Sequence, residues 1–460
     1  MKGKETNMDY KQQVKAMQPA LIEDIKALCA IDSVYDAATV ADNAPFGAGC
    51  RKALDAMLAL GAKDGYTTHD VDGYAGDIEV GGSEEGICIL GHLDVVPVQE
   101  NEWITPPFTP TIRDGKLYAR GTSDDKGPLL AAYYAAKLFH RNYPDCSKKI
   151  RIIFGCNEER GSSCVKHYFE KMPACEMGFT PDADFPVIYG EKGTCGIVIG
   201  GKYAPGTVLE IHGGTVANIV PQRCEAILAG TSPAYREALD AYLQKRTDVT
   251  AELEAADTDT RIVMHGQAAH ASTPHLGVNA IAAMCEFLST VCDSPLTALV
   301  ADKLMAHDGA QLGIEKVGQL GALTMNLGIL HYDGEQAQIT LDLRIPHEID
   351  APAMAEQVRA QVKAYGADLN YSHGRALIID KDSKLIRVLD EAYREEEPDG
   401  EGPQAIGGGT YAKAATNCAA FGPSFPGEDT HIHDSNEFID LVNLERATAI
   451  FYRAIEKLML

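Results

Sequence analysis

The sequence predicts a discontinuous α/β domain, with a mostly parallel sheet and helices on both faces, interrupted by an enlarged α+β domain. Three observations predict it. Short apolar strands alternate with helices up to about residue 193; a glycine-rich texture with strands of alternating polarity follows; from about Lys381 the first texture returns. Strands buried on both faces read as continuous apolar runs, whereas strands with one wet face alternate. The expected boundaries are 1–193 and 380–460 for the α/β domain and 194–379 for the insertion. A chain of 460 residues suits two or three domains at roughly 100–200 residues each.

Taken in order, Val14, Met17, Leu21, Ile25 and Leu28 recur at helical spacing, so the first 30 residues read as an amphipathic helix. A second helix runs from about Arg51 to Leu60 and stops at Gly61. GICILG (86–91) and KIRIIFGCN (149–157) are apolar strands, with the mostly apolar helix PLLAAYYAAKLFH (128–140) between them, and PVIYG (186–190) closes the series. That succession is the signature of a largely parallel sheet. In the insertion, AQITLDLRIP (337–346) turns Ile339, Leu341 and Leu343 to one face, between the helices VNAIAAMCEFLSTV (278–291) and PAMAEQVRAQVKAY (352–365). The helix SKLIRVLDEAYREEE (383–397), a glycine turn and the final helix LERATAIFYRAIEKLML complete the chain.

Acidic residues outnumber basic ones, 66 against 41, for a formal charge of −25. That surplus, with no Lys/Arg block, excludes a nucleic-acid binder and a protein docked on anionic lipid. No apolar run approaches the ~20 residues of a bilayer span. The start, MKGKETNMDYKQQ, is polar and carries no secretory signal. The 12 cysteines include no CxxC pair. The expectation is therefore a cytoplasmic protein with buried free thiols and no disulfide framework.

Chemistry concentrates at the carboxyl ends of the expected strands, where α/β sheets place their sites. GICILG runs into His92-Leu93-Asp94, and positions i and i+2 of an extended segment share a side, so His92 and Asp94 can touch. An imidazole that donates one N–H to a carboxylate can offer its other nitrogen to a metal. ARGTSDDKG brings Asp124 and Asp125 just before a helix, where paired carboxylates also serve as caps. Asn157-Glu158-Glu159 ends the strand KIRIIFG with its glutamates on opposite sides, so one can bind metal while the other faces substrate. Asp182, in FTPDADFP, and His433, in HIHDSNE, complete the set. One histidine and two carboxylates per ion, with one carboxylate shared, is what a two-metal hydrolytic site needs.

These segments carry a resemblance over essentially the whole chain from about residue 10. GHLDVVP (91–97), ARGTSDDKGP, Asn157-Glu158-Glu159 and HDSNE resemble the motifs of the dinuclear zinc metallopeptidase family that includes aminoacylase, carboxypeptidase G and succinyl-diaminopimelate desuccinylase. WITPPFTPTIRDGKLYARGTSDDKGP, GFTPDADFPVIYGEKG, HGQAAHASTPHLGVNA and GGGTYAKAATNCAAFGP resemble its bacterial dipeptidase V branch, the carnosinase-like Xaa-His dipeptidases. The resemblance implies that His92 and Asp182 hold one divalent ion, that Glu159 and His433 hold the other, and that Asp124 bridges them. It further implies that Asp94 orients His92, that Glu158 is the general base, and that a cis peptide follows the bridging aspartate, here at Asp124–Asp125. His431 lies two residues from His433, and the HxxNE register favours His433.

The expected reaction is hydrolysis of the amide bond of short unblocked peptides, dipeptides and β-alanyl dipeptides among them. A metal-bridging water attacks while Glu158 takes its proton and hands it to the leaving amine. From the insertion, read as a lid, the resemblance implies His270 (in HGQAAHASTP) as the oxyanion donor. It implies substrate contacts from Asn218 (ANIVP) and from Arg344 (DLRIP), the latter on a substrate carboxylate. Gly407-Gly408-Gly409-Thr410 is expected to open a helix whose N–H groups, at Gly408, Gly409 and Thr410, receive the peptide's terminal carboxylate. Zinc is the expected metal, with manganese and cobalt suiting the same N and O ligands.

GGGTYA also fits a dinucleotide fingerprint, but EEEPDGEGPQAI before it is a polar loop where a buried strand is required. His347-Glu348 has Ala351 where a zincin needs its second histidine, and neither a G-x-S-x-G elbow nor a Walker A motif is present. A non-catalytic relative would lack Glu158 or a ligand, and none is missing. The remaining alternative is an N-acyl amino acid deacylase or desuccinylase-type amidohydrolase. A lid of about 186 residues exceeds the single module of shorter family members, and the resemblance to the dipeptidase V branch implies a doubled lid that imitates a second subunit, hence a monomeric dipeptidase.

Overall fold

The structure, a computed structural model, describes residues 9–204 and 206–460. Residues 1–8, at the start of the expected first helix and first domain, and Pro205, in the expected insertion, lie outside the described residues. The chain packs as two compact units. One comprises the chain up to Gly190 with Ile379–Gln404 and Gly409–Leu460; the other comprises Glu191–Ile378 with Ala405–Gly408.

The sheet of the first unit runs in the order Thr67–Val71, Ala75–Gly81, Lys148–Gly155, Glu84–His92, Gly178–Thr180, Cys418–Ala420, Ile188–Glu191. Its middle pairs are parallel and its flanking pairs antiparallel. Parallel neighbours need a crossover, and the helices Lys126–Asn142 and Ser163–Lys171 supply two of them. In the central strands Ile87, Ile89, Leu90, Ile150, Ile152, Ile153 and Phe154 are all buried, so neither face is wet. The helix expected to stop at Gly61 instead spans Ala48–Lys63. Gly61 is a contact point rather than a terminator: a Cβ there would lie 2.7 Å from Ile78 Cγ1.

This topology gathers the site. Glu84–His92, Lys148–Gly155 and Gly178–Thr180 are parallel, so their carboxyl ends share one edge. The first ends on His92, the second leads into Asn157-Glu158-Glu159, and the third leads into Asp182.

The second unit is an antiparallel sheet of eight strands, Thr250–Ala255, Asp259–His265, Arg223–Ala229, Val208–Gly213, Thr324–Tyr332, Gln336–Ile345, Gly193–Lys202 and Ala367–Gly374. Cys195, Ile197 and Ile199 alternate with exposed or half-exposed neighbours and join Ile339, Leu341 and Leu343 in the core. Ala280–Val291 and Ala351–Val362 cover that face, N-capped by Asn279 and Asp350.

One cysteine expectation is corrected. Ten cysteines are free, and all but Cys146 are buried, but Cys88 and Cys175 form a disulfide. Cys88 lies opposite Gly178 in the parallel register, and the chain enters that strand from Cys175, which brings the two Cα atoms to 5.9 Å. Among the described residues, no helix is long and apolar enough to cross a membrane.

Candidate metal centre

The sequence-predicted ligands of the first unit converge on Asp124. His92 Nε2 lies 2.8 Å from Asp124 Oδ1, and His433 Nε2 lies 2.9 Å from Asp124 Oδ2. Each histidine has a further carboxylate, His433 with Glu159 Oε1 at 3.2 Å and His92 with Asp182 Oδ2 at 3.9 Å. Asp124 and His92 are buried, and the Asp124–Asp125 peptide is cis. His431 turns elsewhere, to the Ser435 carbonyl and the Phe438 ring. The His92 ring is fixed from one side by the edge of the buried Tyr411, centroids 5.9 Å apart.

Asp94 does more than the sequence implied. Its backbone carbonyl lies 2.9 Å and its carboxylate 3.6 Å from His92 Nδ1. That carboxylate also accepts the Glu158 N–H at 3.0 Å on Oδ1 and the Glu159 N–H at 3.1 Å on Oδ2. Asp94 therefore ties the strand that carries His92 to the turn that carries both glutamates. Among the described residues, no side chain hydrogen-bonds the half-buried Glu158 carboxylate.

The electrostatics follow from crowding acids at one edge. Burial, the largest effect on Glu158, raises its pKa; with the charges of Glu159, Asp124 and Asp94 it outweighs the opposing His92, and the pKa reaches about 7. His433 is raised to about 10, chiefly by its bond to Asp124 and next by Glu159. Burial pushes His92 down, but its bonds to Asp124 and Asp94 prevail and hold it well above the ordinary value. Burial likewise raises Asp124, yet the two histidines win and hold it below the usual carboxylate range. Asp182 is pushed well up, by burial and then by the charge of Asp124.

Such a cluster fits divalent cations. His92, Asp124 and Glu159 offer donor atoms that all lie within 4.8 Å of one another, and N/O donors suit such ions. A second grouping, His69, Asp77 and Glu79, is spoken for by protein partners. Asp77 accepts from Tyr168 at 2.6 Å and meets His69 at 2.8 Å, while Glu79 pairs with Lys149 at 2.5 Å.

Sequence reasoning passed over Glu437, the last residue of HDSNE. It is fully buried, and its carboxylate accepts four hydrogen bonds from residues 120–124. The signal was present: a glutamate four positions after a metal-ligand candidate, entering a strand, has no reason to be buried unless it is paired.

In the second unit, Asn218 and His270 are neighbours, through the Ala271 N–H to the Asn218 carbonyl at 2.8 Å and an Ile219–His270 bridge. His270 Nδ1 meets Ser272 Oγ at 2.7 Å. Burial first, then the Arg344 charge, lower the His270 pKa. Arg344 is already forked on Asp342, at 2.7 and 3.0 Å, and gives Nη1 to the Gly407 carbonyl at 3.0 Å. Two of its five N–H groups remain for a ligand.

The helix expected after Gly407-Gly408-Gly409-Thr410 is a single 3₁₀ turn, Tyr411–Ala414. The Thr410 hydroxyl caps it by accepting the Ala412 N–H. Tyr411 is drawn inward, its hydroxyl 2.8 Å from Cys164 Sγ, and Cys418–Ala420 is recruited as a parallel strand, so no helix can continue. Gly408 also belongs to the second unit while Gly409 and Thr410 belong to the first. The anion site expected at Gly408, Gly409 and Thr410 thus has only a four-residue 3₁₀ turn behind it.

Comparison with known proteins gives the family of the chain. The model of peptidase family M20/M25/M40 matches residues 88–457. A Bacillus subtilis (strain 168) chain named "Putative dipeptidase YtjP" is 33% identical over 468 residues, covering 98% of this chain and 100% of its own. A Staphylococcus haemolyticus chain named "Putative dipeptidase SH1171" is 33% identical over 466 residues, with 98% and 99% covered. Human carnosine dipeptidase 1 shares the fold, with a TM-score of 0.61 at 16% identity over 98% of each chain. So does the dipeptidase Dug1p of Saccharomyces cerevisiae, at 0.59 and 13% over 98% of each. The chain belongs to peptidase family M20/M25/M40 and is a metallopeptidase, a hydrolase of peptide bonds.

Proposed function

We propose that this peptidase is a dinuclear metal-dependent dipeptidase acting as a monomer on short unblocked peptides. One observation carries the reading: the two oxygens of Asp124 are divided between His92 and His433, each backed by its own acid, Asp182 or Glu159. Asp124 would serve two ions, with His92 and Asp182 completing the hold on one and His433 and Glu159 on the other. When bound, the ions acidify water and polarise the scissile carbonyl.

The remaining work falls to the protein. Glu158, with a pKa of about 7 and a carboxylate that no described side chain hydrogen-bonds, takes the proton of the attacking water on one oxygen and delivers it to the leaving nitrogen. Asp94 keeps that carboxylate in place through the Glu158 N–H. His270 donates to the developing oxyanion, the lowered pKa keeping its ring neutral with one N–H to give. Asn218 and the two remaining N–H groups of Arg344 contact the substrate. The names of the relatives support dipeptides as substrates.

The test is a substrate panel of free dipeptides, β-alanyl dipeptides included, against N-acetyl and N-succinyl amino acids, each with Zn²⁺, Mn²⁺ or Co²⁺ added to the metal-stripped chain. Turnover confined to dipeptides is expected. Preference for the acylated amino acids would make the enzyme a deacylase instead.

A further inference from the structure

Lys116–Tyr118 and Phe438–Asp440 are antiparallel partners, Tyr118 opposite Phe438. The chain leaves the first strand into residues 119–124 and enters the second from residues 433–437, so this one pair brings together the two loops that hold Asp124 and His433. Glu437 sits where they meet. Its Oε1 accepts the Ser123 and Asp124 N–H groups at 2.8 and 3.2 Å, and its Oε2 accepts the Gly121 N–H at 3.1 Å and Arg120 Nη1 at 2.7 Å. The Ser123 hydroxyl adds a bond to the Phe438 carbonyl at 2.6 Å. Four donors converge on one buried carboxylate, and two of them are the amides of Asp124 and the residue before it.

We propose that Glu437 is a positioning residue that sets the register between the shared carboxylate and the far histidine, and so fixes the affinity for the ion that His433 holds. This rests on the two-ion reading above. The physical reason is directional. The backbone at Asp124 can slide only by breaking the Oε1 bonds, and the His433 loop can slide only by moving Glu437 itself. The ion at His92 and Asp182 would share Asp124, but its other two ligands stand after strands that Glu437 does not touch, whereas the ion at His433 would lose the placement of both Asp124 and the His433 loop. Loss of the carboxylate therefore loosens the ion at His433 more than the other.

Glu437→Gln tests it well, because an amide has one acceptor oxygen where the carboxylate has two. Whichever way it turns, its NH₂ faces two N–H donors. Glu437→Asp keeps the charge that Arg120 needs but draws the oxygens back from the amides. Metal-stripped chains are titrated with Co²⁺ by calorimetry and visible absorption, with melting temperature measured alongside.

In the wild type, two ions are expected. In Glu437→Gln the second binding step weakens by roughly 10–100-fold, the usual effect of removing a group behind a ligand, while the first, which shares only Asp124 with it, weakens less. Glu437→Asp falls between, and it decides the matter if the glutamine variant does not fold. A residue that only stabilises the fold would lower the melting temperature and leave the ratio of the two steps unchanged; that result overturns the proposal. One ion in the wild type would overturn the two-ion reading and this inference with it. Two ions in the wild type with an unchanged ratio in both variants overturns this inference alone.

Discussion

Among the carboxylates at the sheet edge, Glu158 has a pKa raised to about 7. The shift arises first from burial and then from three neighbouring acids, and Glu158 hydrogen-bonds neither histidine. Glu158→Ala is therefore expected to keep full metal content by elemental analysis and to lose about 10²–10⁴-fold in kcat, the usual weight of general-base catalysis; dipeptide turnover close to wild type would remove it from the mechanism. The histidines predict a second effect. A ring nitrogen binds a cation only once its proton has left, and His433 is held near 10 by Asp124 and Glu159. Metal uptake at pH 7 must therefore release protons, and apparent affinity must rise as pH rises toward about 10. In the metal-stripped protein, the stabilisation from protonated His433 is complete below about 6.5, its unfolded value, and fades as pH climbs through about 10. Calorimetry in buffers of different ionisation enthalpy measures the release, and a binding enthalpy independent of buffer would refute it. His270→Ala is expected to lower kcat more than it raises KM, because the oxyanion exists only in the transition state; the reverse split would make His270 a substrate anchor.

At the scale of elements, legibility depended on periodicity. The apolar runs 86–91 and 149–157 disclosed buried strands, and parallel pairing then put His92, Glu158, Glu159 and Asp182 at one edge. What Asp94 holds was not legible, because the amides it accepts belong to residues 64 and 65 positions away, and no sequence pattern marks them. The helix expected after Gly407–Thr410 is cut to one turn for a different reason. Glycine followed by a capping Thr is locally a helix start, and the burial of Tyr411 overrides that preference. Arg344 and Asp342, by contrast, stand at i and i+2 of one strand, so their pairing was readable and went unread. Twelve scattered cysteines left the Cys88–Cys175 pairing invisible, because it depends on strand order. That pairing predicts ten titratable thiols in the denatured, unreduced chain and twelve after reduction. The bridge closes 87 residues between the strand that carries His92 and the approach to Asp182. Cys88→Ser or Cys175→Ser is expected to destabilise the first unit by about 2–4 kcal/mol; a thermal melt unchanged from wild type would leave the bridge without structural weight.

For the whole molecule, the charge of −25 has two parts. Most of it lies on a solvated surface. A small remainder, Asp94, Asp124, Glu158, Glu159 and Asp182, is concentrated at one sheet edge, and all five residues lie in the first unit. The second unit has its own core, made by the strands and helices between Cys195 and Leu369, and none of the metal-ligand candidates. A ligand that binds only the native state stabilises what it binds, by about 4 kcal/mol at a thousandfold excess over Kd. Metal should therefore stabilise one unit and leave the other unmoved. Scanning calorimetry is expected to resolve two transitions, of which chelation lowers one and adding metal back restores it. Truncating the Glu159 carboxylate (Glu159→Ala) should shift that same transition down even with metal present, while a core truncation in the second unit, such as Leu341→Ala, should shift only the other. A single transition that moves as a whole under chelation would mean that the two units unfold as one cooperative body, with the metal centre stabilising both.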